Sequence, residues 1–172
     1  MVPILLDPAH LKVVLIGEGE AYSKRLALLT EGGDISSVEL HTNGARPTPE
    51  RLKAAQVVFV AGLDEAESGL IAGVVRASGG LVNVEDFKPL CDFHVPAVVR
   101  RGDLVLTVST GGKSPGLARR LRRYLEALFG PEWARRLNEM AEKRDDWRRQ
   151  DLNMAEIGRL SDEYVEKKGW LK

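Results

Sequence analysis

The sequence predicts an α/β fold, with a parallel sheet in its N-terminal half and helices in its C-terminal part. Short apolar runs rich in β-branched residues alternate with amphipathic stretches up to about residue 90. Glycines follow several of these runs, and charged, helix-forming sequence dominates after Ser114. Strands that alternate with helices pair in parallel, because each helix returns the chain to the edge of the sheet where its strand began.

The first strand is predicted at residues 11–16, where a β-branched apolar run stops at Gly17. An amphipathic helix is predicted over 20–30, because leucines recur at helical spacing and the glycine pair 32–33 ends it. A second strand is predicted at 35–40. These three elements would form the first crossover unit of a parallel sheet.

The remaining strands of the sheet are predicted at residues 57–61 and 81–84. A helix is predicted between them at 65–77, because its apolar residues fall on one face and Gly79-Gly80 closes it. The predicted order is then strand, helix, strand, strand, helix, strand, with a short connection between the second and third strands.

The chain changes character after residue 90. Two extended segments, 93–100 and 104–109, flank the turn sequence Arg101-Gly102-Asp103 and predict a hairpin. Three helices are predicted after the hairpin, over roughly 114–129, 132–149 and 153–168. The predicted division is a parallel-sheet domain at 1–92, a region with the hairpin and the first of these helices at 93–127, and a helical domain at 128–172.

Composition excludes several classes of function. Lys plus Arg and Asp plus Glu both number 25, so the chain lacks the basic excess of a broad nucleic-acid binder. Cys91 is the only cysteine, so neither an internal disulfide nor a cysteine-built zinc site is predicted. No segment has the roughly 20 apolar residues that span a bilayer. The sequence therefore predicts a soluble, cytoplasmic protein that binds neither nucleic acid nor a membrane, and no resident metal site is assigned.

Gly17-Glu18-Gly19 lies where the first strand meets the first helix, which is where Rossmann-like folds bind a dinucleotide diphosphate. Glycines let the backbone approach the phosphates, and a helix N-terminus favours negative charge. Glu39, about 20 residues further on, is placed to accept hydrogen bonds from the ribose hydroxyls. Tyr22 replaces the usual small residue, so its ring would push the helix from the strand or block part of the groove. Glu18 and Glu20 would repel a diphosphate unless they point away, and the whole segment also fits a plain strand-to-helix turn.

A longer and more specific pattern begins in the fourth strand. It consists of four segments: Asn83-Val84-Glu85-Asp86, Cys91-Asp92-Phe93-His94-Val95-Pro96, Arg101-Gly102-Asp103-Leu104 and Ser109-Thr110-Gly111-Gly112-Lys113-Ser114-Pro115. This run, continued by a basic helix to Glu126, closely resembles the family of precorrin-2 dehydrogenases and sirohydrochlorin ferrochelatases, the N-terminal module of siroheme synthases. The family pattern is N-V-x-D, C-x-F-x-x-P, R-x-x-L and S-[ST]-G-G-x-S-P.

The resemblance implies an NAD-binding Rossmann-like domain, a hairpin region for dimerisation and tetrapyrrole binding, and a small helical domain. It implies NAD-dependent oxidation of precorrin-2 to sirohydrochlorin, and in bifunctional members the insertion of ferrous iron, with cobaltous ion as the alternative metal. The family's catalytic aspartate falls on Asp86. A carboxylate near the nicotinamide suits the removal of protons from a macrocycle. A homodimer is expected, because family members pair through the hairpin region.

On the cofactor side, the residues assigned to NAD lie in the predicted strands and in the turns that follow them: Gly17, Gly19, Glu20, Glu39, Gly62, Asp64, Asn83 and Val84. On the tetrapyrrole side, the assigned residues form a loop and the start of a helix: Ser109, Thr110, Gly111, Gly112, Lys113, Ser114, Arg119 and Arg120. Ser114-Pro115 is a helix start on physical grounds, since serine caps helices and proline is tolerated at the first position. Precorrin-2 carries many carboxylates, which a cationic helix end would bind. A capped surface helix with solvated arginines explains the same residues without a ligand.

Three departures from the family pattern concern the dinucleotide side: Glu18 replaces a third glycine, Tyr22 a small residue and Leu63 a threonine. Three functions therefore remain open at this point. They are an NAD-dependent dehydrogenase with or without iron insertion, a tetrapyrrole-binding chelatase or carrier without NAD, and a non-enzymatic nucleotide-sensing module. Asp86 and the 109–115 stretch favour the first two, because a sensor needs neither.

Overall fold

The computed structural model describes residues 1–171, and the chain divides into two compact units. The first unit is Met1–Val95, and the second begins at Pro96. Among the described residues, no helix combines the length and the apolar character needed to cross a membrane.

The first unit is built on a four-stranded sheet. Its strands are β1 (Val13–Gly17), β2 (Val38–His41), β3 (Val57–Ala61) and β4 (Leu81–Val84). Its helices are α1 (Gly19–Glu31), α2 (Pro49–Ala54) and α3 (Glu65–Ala77). All neighbouring strands pair in parallel, in the order β2-β1-β3-β4. The predicted α/β fold is therefore confirmed, and β3, α3 and β4 have the predicted bounds.

Helices cover both faces of this sheet, which explains why its central strands β1 and β3 are continuous apolar runs. On one face the strands pack against Leu52 of α2 and Val75 of α3. On the other face they pack against Tyr22 and Leu29 of α1. Because α1 lies on one face and α2 on the other, a crevice is expected at the carboxyl ends of β1 and β3, where open α/β sheets bind ligands.

The helix α2 corrects the prediction, which put no helix between the second and third strands. Thr48 caps α2 by accepting a hydrogen bond from the Arg51 amide (3.4 Å), and Pro49 stands at its start. Both signals are present in the sequence, but the helix has only 6 residues, too few for an apolar period. β2 also begins later than predicted, at Val38, because Asp34 accepts from the Ser36 amide (2.8 Å) and turns the chain there.

The second unit contains a hairpin and three helices. The antiparallel strands β5 (Ala97–Arg101) and β6 (Leu104–Val108) form the hairpin, as predicted. The helices are α4 (Pro115–Leu128), α5 (Glu132–Arg149) and α6 (Met154–Lys168), which also agree with the prediction. Hairpin and helices belong to one compact unit, and their division into regions 93–127 and 128–172 stays a prediction.

Both ends of α4 are fixed by side chains. At its start, Ser114 Oγ accepts a hydrogen bond from the Leu117 amide (3.2 Å), which is the predicted cap. At its end, Arg101 of β5 donates to the carbonyl groups of Phe129 (2.7 Å) and Glu126 (3.1 Å). Carbonyl groups in the last turn of a helix have no helical partner, so Arg101 satisfies them and ties α4 to the hairpin.

Candidate functional site

Three turns that the sequence assigned to the cofactor lie at one edge of the sheet. The parallel register aligns Ile16 of β1 with Val60 of β3, and Val60 with Val84 of β4. The turns that follow these strands are therefore neighbours at the carboxyl ends of the strands, where open α/β sheets bind ligands. This edge carries the glycine turn, Gly62 and Asp86.

Gly17 and Gly62 allow two of these turns to pack backbone against backbone. A Cβ added at Gly17 would lie 1.8 Å from the Ala61 carbonyl oxygen, and one added at Gly62 would lie 2.2 Å from the Glu18 carbonyl oxygen. The Glu18 amide also donates to the Ala61 carbonyl (3.0 Å). The two glycines thus position the glycine turn through an approach that any side chain would prevent.

Gly19 differs from them, because a Cβ there would meet nothing within 4 Å. It begins α1, and the Tyr22 amide donates the first hydrogen bond of that helix, to the Glu18 carbonyl (3.4 Å). The amides of Gly19, Glu20 and Ala21 precede that bond, and the Glu18 side chain does not cap the helix. Open space beside an uncapped helix N-terminus fits a dinucleotide diphosphate, which accepts hydrogen bonds from such amides.

The two carboxylates beside this turn are paired with cations. Arg46 donates from Nη2 to Glu18 Oε1 (2.9 Å), and Lys24 donates from Nζ to Glu20 Oε1 (2.8 Å). The hydrogen bond between Lys24 and Glu20 lowers the pKa of the carboxyl and raises the pKa of the amine. The repulsion that the sequence predicted for Glu18 and Glu20 is thus partly offset by ion pairs.

Tyr22 does not block the groove in the way that the sequence predicted. The side chain is only 7% exposed and belongs to the core between α1 and the sheet. It packs there in a cluster with Leu15, Leu29 and Phe59. Burial raises the pKa of the Tyr22 phenol. The ring therefore serves as a core residue beneath α1, a place that the spacing of the glycine motif does not reveal.

Glu39 is the second of the four residues of β2 and pairs in register with Val14 of β1, so it lies before the carboxyl end of the strand. Both oxygens of its carboxylate are engaged, since His41 Nε2 lies 2.6 Å from Oε1 and Arg51 Nη1 donates to Oε2 (2.9 Å). Burial alone would raise the pKa of Glu39, but these hydrogen bonds and the neighbouring charges keep it below its usual value. An ionised carboxylate at this position can accept hydrogen bonds from ribose hydroxyls.

Three other residues assigned to the cofactor make structural contacts. Asp64 caps α3 by accepting a hydrogen bond from the Glu67 amide (2.8 Å). Asn83 is 5% exposed, and its Nδ2 donates to the Phe93 carbonyl (2.9 Å). The Val84 side chain is part of the core. These side chains stabilise the fold, and their contact with a cofactor stays a prediction.

Asp86 is exposed and lies in the turn directly after β4, with a φ of +67°. Such a conformation is uncommon for residues other than glycine, and it is enriched at functional sites. The Glu85 amide still donates to the Val60 carbonyl (2.9 Å), so Asp86 is the first residue beyond the sheet. A carboxylate placed there can exchange protons with a bound molecule.

The loop that carries Asp86 is held along the open edge of β4. The Val84 amide donates to Cys91 Sγ (3.3 Å), and the Cys91 thiol donates to the Val84 carbonyl (3.0 Å). Asp92 Oδ2 accepts from the Val82 amide (2.9 Å). Cys91 and Asp92 therefore satisfy backbone groups of an edge strand and fix the return of the loop, a role that the sequence analysis missed.

Positive charge from α1 lies near the same turn. Arg25 lies over the Phe59 ring, with its guanidinium carbon 5.5 Å from the ring centroid. Burial lowers the pKa of Arg25, and the negative charge of Glu85 opposes that decrease. The pKa of Lys24 is raised chiefly by its hydrogen bond to Glu20, and the negative charges of Glu85 and Asp86 raise it slightly further. The helix thus offsets part of the negative charge of the turn.

The loop assigned to the tetrapyrrole, residues 109–114, is closed by its own hydroxyl groups. Thr110 Oγ1 accepts from the Ser114 amide (3.2 Å) and donates to the Ser114 carbonyl (3.1 Å). Ser109 Oγ accepts from the Gly111 amide (3.2 Å). Gly111 and Gly112 both have a positive φ, which glycine adopts without strain. The loop is therefore preformed, and its hydroxyl groups maintain its shape.

α4 presents a positive surface next to this loop. We use the term cationic surface for four exposed side chains: Lys113 in the loop before α4, and Arg119, Arg120 and Arg123 on α4. None of the four takes part in an ion pair within residues 1–171, whereas Arg122 on the same helix is paired with Glu126. Three of the four are arginines, which bind carboxylates with two parallel hydrogen bonds. Lys113, Arg119 and Arg120 are therefore exposed together with Arg123, and their joint role in binding a ligand stays a prediction.

The same helix also carries exposed apolar side chains. We use the term apolar stripe for the side chains of Leu117, Leu121, Tyr124 and Leu128, which are between 41% and 66% exposed. Their spacing of three and four residues places them on one side of the helix. The stripe therefore leaves an apolar side of α4 open to solvent in the single chain.

Comparisons with known proteins define the class of the first unit. Residues 4–97, more than half of the chain, match the family described as "Putative NAD(P)-binding". The parallel sheet, the glycine turn and the uncapped start of α1 are the features that such a domain requires. The chain therefore belongs to this NAD(P)-binding family, and the predicted Rossmann-like cofactor domain is confirmed.

The second unit has its own match, since residues 101–128 fit the family described as "Sirohaem biosynthesis protein central". Siroheme synthase of Pseudoalteromonas atlantica is 32% identical in an alignment of 159 residues that covers 82% of this chain and 34% of that protein. Siroheme synthase 1 of Pectobacterium atrosepticum is 35% identical in an alignment of 165 residues that covers 85% of this chain and 33% of that protein. The chain thus spans about a third of the length of these curated relatives, and the resemblance to siroheme synthases is confirmed.

A solved structure gives the same picture of the fold. SirC, precorrin-2 dehydrogenase, matches with a TM-score of 0.72 and 21% sequence identity, over 100% of this chain and 93% of that chain. At this level of identity the match shows that the two chains share a fold.

Proposed function

We propose that this protein is an NAD-dependent dehydrogenase that oxidises precorrin-2 to sirohydrochlorin in siroheme biosynthesis. The observation that carries the proposal is Asp86, an exposed carboxylate with a positive φ on the same edge of the sheet as the glycine turn. The similarity to siroheme synthases and the fold shared with a precorrin-2 dehydrogenase support it. The proposed location is the cytoplasm, where a single thiol such as Cys91 stays reduced.

The proposed reaction removes a hydride and a proton from precorrin-2. NAD, when bound, provides the acceptor of the hydride. The uncapped amides at the start of α1 would hold the cofactor diphosphate, and Glu39 would accept hydrogen bonds from the ribose hydroxyls. Asp86 takes the proton on a carboxylate oxygen, so each turnover yields sirohydrochlorin, NADH and a proton that Asp86 passes to water.

An anaerobic assay with precorrin-2 and NAD tests this function. We expect sirohydrochlorin and NADH to form in equal amounts. Ferrous or cobaltous ion added to the same assay tests for metal insertion, which we propose as a further activity because it also removes protons from the macrocycle. Absence of NADH formation, or oxidation of precorrin-2 that does not depend on NAD, would contradict the proposed dehydrogenase.

We further propose that the loop 109–114 and the cationic surface of α4 bind the carboxylates of the tetrapyrrole. The loop lies at the positive N-terminal end of α4, and the cationic surface contributes charges that form no ion pair within residues 1–171. A neutral chain has no general attraction for a polyanion, so the local charge of α4 is the feature that would select such a substrate.

Replacing Lys113 or Arg120 with Ala is expected to raise the Kd for sirohydrochlorin roughly 10- to 100-fold, because each change removes a charge-assisted hydrogen bond. Fluorescence titration measures this Kd, and added salt should raise it for the wild type through screening. The Kd for NAD should not change. Arg159→Ala is the control, because Arg159 lies on α6 in an ion pair with Glu163. Unchanged sirohydrochlorin binding in both variants would indicate a solvated helix face instead.

A homodimer is the proposed assembly. The apolar stripe of α4 is exposed to solvent in the single chain, and the two-stranded hairpin has two open edges. A second copy of the chain would cover both, with two-fold symmetry. We expect sedimentation at micromolar concentration to give the mass of a dimer, and Leu121→Asp to give a folded monomer. A monomeric wild type would rule out this assembly.

A further inference from the structure

Arg46 connects two turns at the cofactor edge of the first unit. It lies in the loop between β2 and α2. Its Nη2 donates to Glu18 Oε1 (2.9 Å) and to Glu67 Oε2 (3.3 Å), and its Nε donates to Glu67 Oε1. Glu18 belongs to the glycine turn before α1, and Glu67 belongs to the first turn of α3. The guanidinium is thus held beside the turn that is expected to bind the dinucleotide diphosphate.

The charges of this cluster are not fully balanced. Glu18 and Glu67 together carry more negative charge than the single guanidinium of Arg46 neutralises. Hydrogen bonds to Glu67 and then to Glu18 raise the pKa of Arg46, so its side chain stays charged. The side chains of Arg46, Glu18 and Glu67 are 29%, 45% and 37% exposed. Ion pairs with this much exposure contribute little to stability, and their partners can be exchanged at low cost.

Glu18 is the residue that makes such a cation necessary. A carboxylate in a glycine turn repels a diphosphate. The backbone of Glu18 cannot withdraw, because its amide donates to the Ala61 carbonyl (3.0 Å) and its carbonyl lies against Gly62. Compensation must therefore come from another side chain, and within residues 1–171 Arg46 is the cation that pairs with Glu18.

We propose that Arg46 binds the diphosphate of the dinucleotide, and that it exchanges its bond to Glu18 for a bond to a phosphate oxygen when the cofactor arrives. The planar guanidinium fork matches the geometry of phosphate oxygens. Glu67 holds Arg46 through Nε, so the Nη2 group can change partner without the loss of the whole arrangement. This inference rests on the proposed NAD-dependent function, and it explains how a chain with Glu18 in its glycine turn binds an anion there.

Isothermal titration of NAD, ADP and adenosine into the full chain tests the inference. Arg46→Ala is expected to raise the Kd for NAD and for ADP roughly 10- to 100-fold, the effect of one charge-assisted hydrogen bond, and to leave the Kd for adenosine unchanged. Glu18→Gly is expected to lower the Kd for NAD, because the repulsion is removed. Arg76→Ala is the matched control: Arg76 is 37% exposed, is paired with Asp92 and lies in the last turn of α3, away from the cofactor edge.

The double variant Glu18→Gly/Arg46→Ala separates direct contact from charge compensation. We expect it to bind NAD about 10-fold or more weakly than Glu18→Gly alone. Equal NAD binding by the double variant and by Glu18→Gly would mean that Arg46 only neutralises Glu18. Unchanged NAD binding in Arg46→Ala would mean that Arg46 contributes nothing. Either result would overturn this inference but not the proposed function. A wild type that binds neither NAD nor ADP would overturn the proposed function as well. Arg46→Gln serves if Arg46→Ala does not fold.

Discussion

Replacing Asp86 with Asn is expected to lower the turnover of precorrin-2 roughly 100-fold or more, which is the usual contribution of a positioned acid/base group. Asn keeps the shape of the side chain and also tolerates a positive φ, so the turn after β4 should persist. Because Asp86 is exposed, the Tm of the Asp86→Asn variant should stay within about 2 °C of that of the wild type. Steady-state kinetics and thermal unfolding measure the two quantities.

Asp151 supplies a matched control for this substitution. It is also an exposed aspartate with a positive φ, but it lies between α5 and α6 in the second unit. Asp151→Asn should therefore leave turnover unchanged. Near-normal turnover in Asp86→Asn would remove this carboxylate from the mechanism, while equal losses in both variants would point to a general effect of the change in charge.

The second large effect is expected from Gly17→Ala. Its Cβ would lie 1.8 Å from the Ala61 carbonyl oxygen, so the first turn and β3 must separate. The Glu18 amide would then lose its acceptor, the Ala61 carbonyl. We expect the free energy of unfolding to fall by about 3 kcal/mol, near the upper end of the cost of overpacking. NAD binding should weaken too, because the displaced turn no longer presents the amides of α1.

Gly73→Ala is the control for this change, and denaturant unfolding measures the free energy of unfolding of both variants. Gly73 is exposed inside α3, and a Cβ there would meet nothing within 4 Å. Alanine stabilises the interior of a helix more than glycine does, so the free energy of unfolding of this variant should rise by roughly 0.5–1 kcal/mol. Similar stability in Gly17→Ala and Gly73→Ala would contradict the close packing of the two turns.

Local patterns accounted for most elements of the fold. β3, α3 and β4 were predicted at their observed bounds, because each is an apolar segment with a clear stop in the adjacent residues. The start of α4 was predicted from Ser114-Pro115 alone, since a cap depends on residues a few positions apart. The helix α2 was missed, because a helix of 6 residues has no apolar period. A crossover is required there because β2 and β3 both pair in parallel with β1.

The candidate site divides in the same way. The glycine turn, Glu39 and Asp86 were identified from spacing and from the family pattern. The structure places the glycine turn and Asp86 directly after strands, whereas Glu39 lies inside β2. Tyr22 was misjudged, because its position in a motif suggested the groove whereas packing against Leu15 and Phe59 determines where the ring lies. The arginines of the cationic surface were visible in the sequence, because spacings of three and four residues on a helix place Arg123 beside both Arg120 and Arg119.

By itself, then, the sequence determined the α/β class, most of its strands and helices, the glycine turn proposed to face a dinucleotide and the aspartate proposed to move a proton. Each of these depends on residues close together in the chain or on one continuous pattern. Only the tertiary structure decided which partners the charged and polar groups have. Arg46 reaches Glu18 and Glu67, and Cys91 binds the edge of β4, through contacts between segments far apart in sequence. Such contacts exist only after the sheet has brought its turns together, because no local rule of propensity or spacing encodes a distance across the fold.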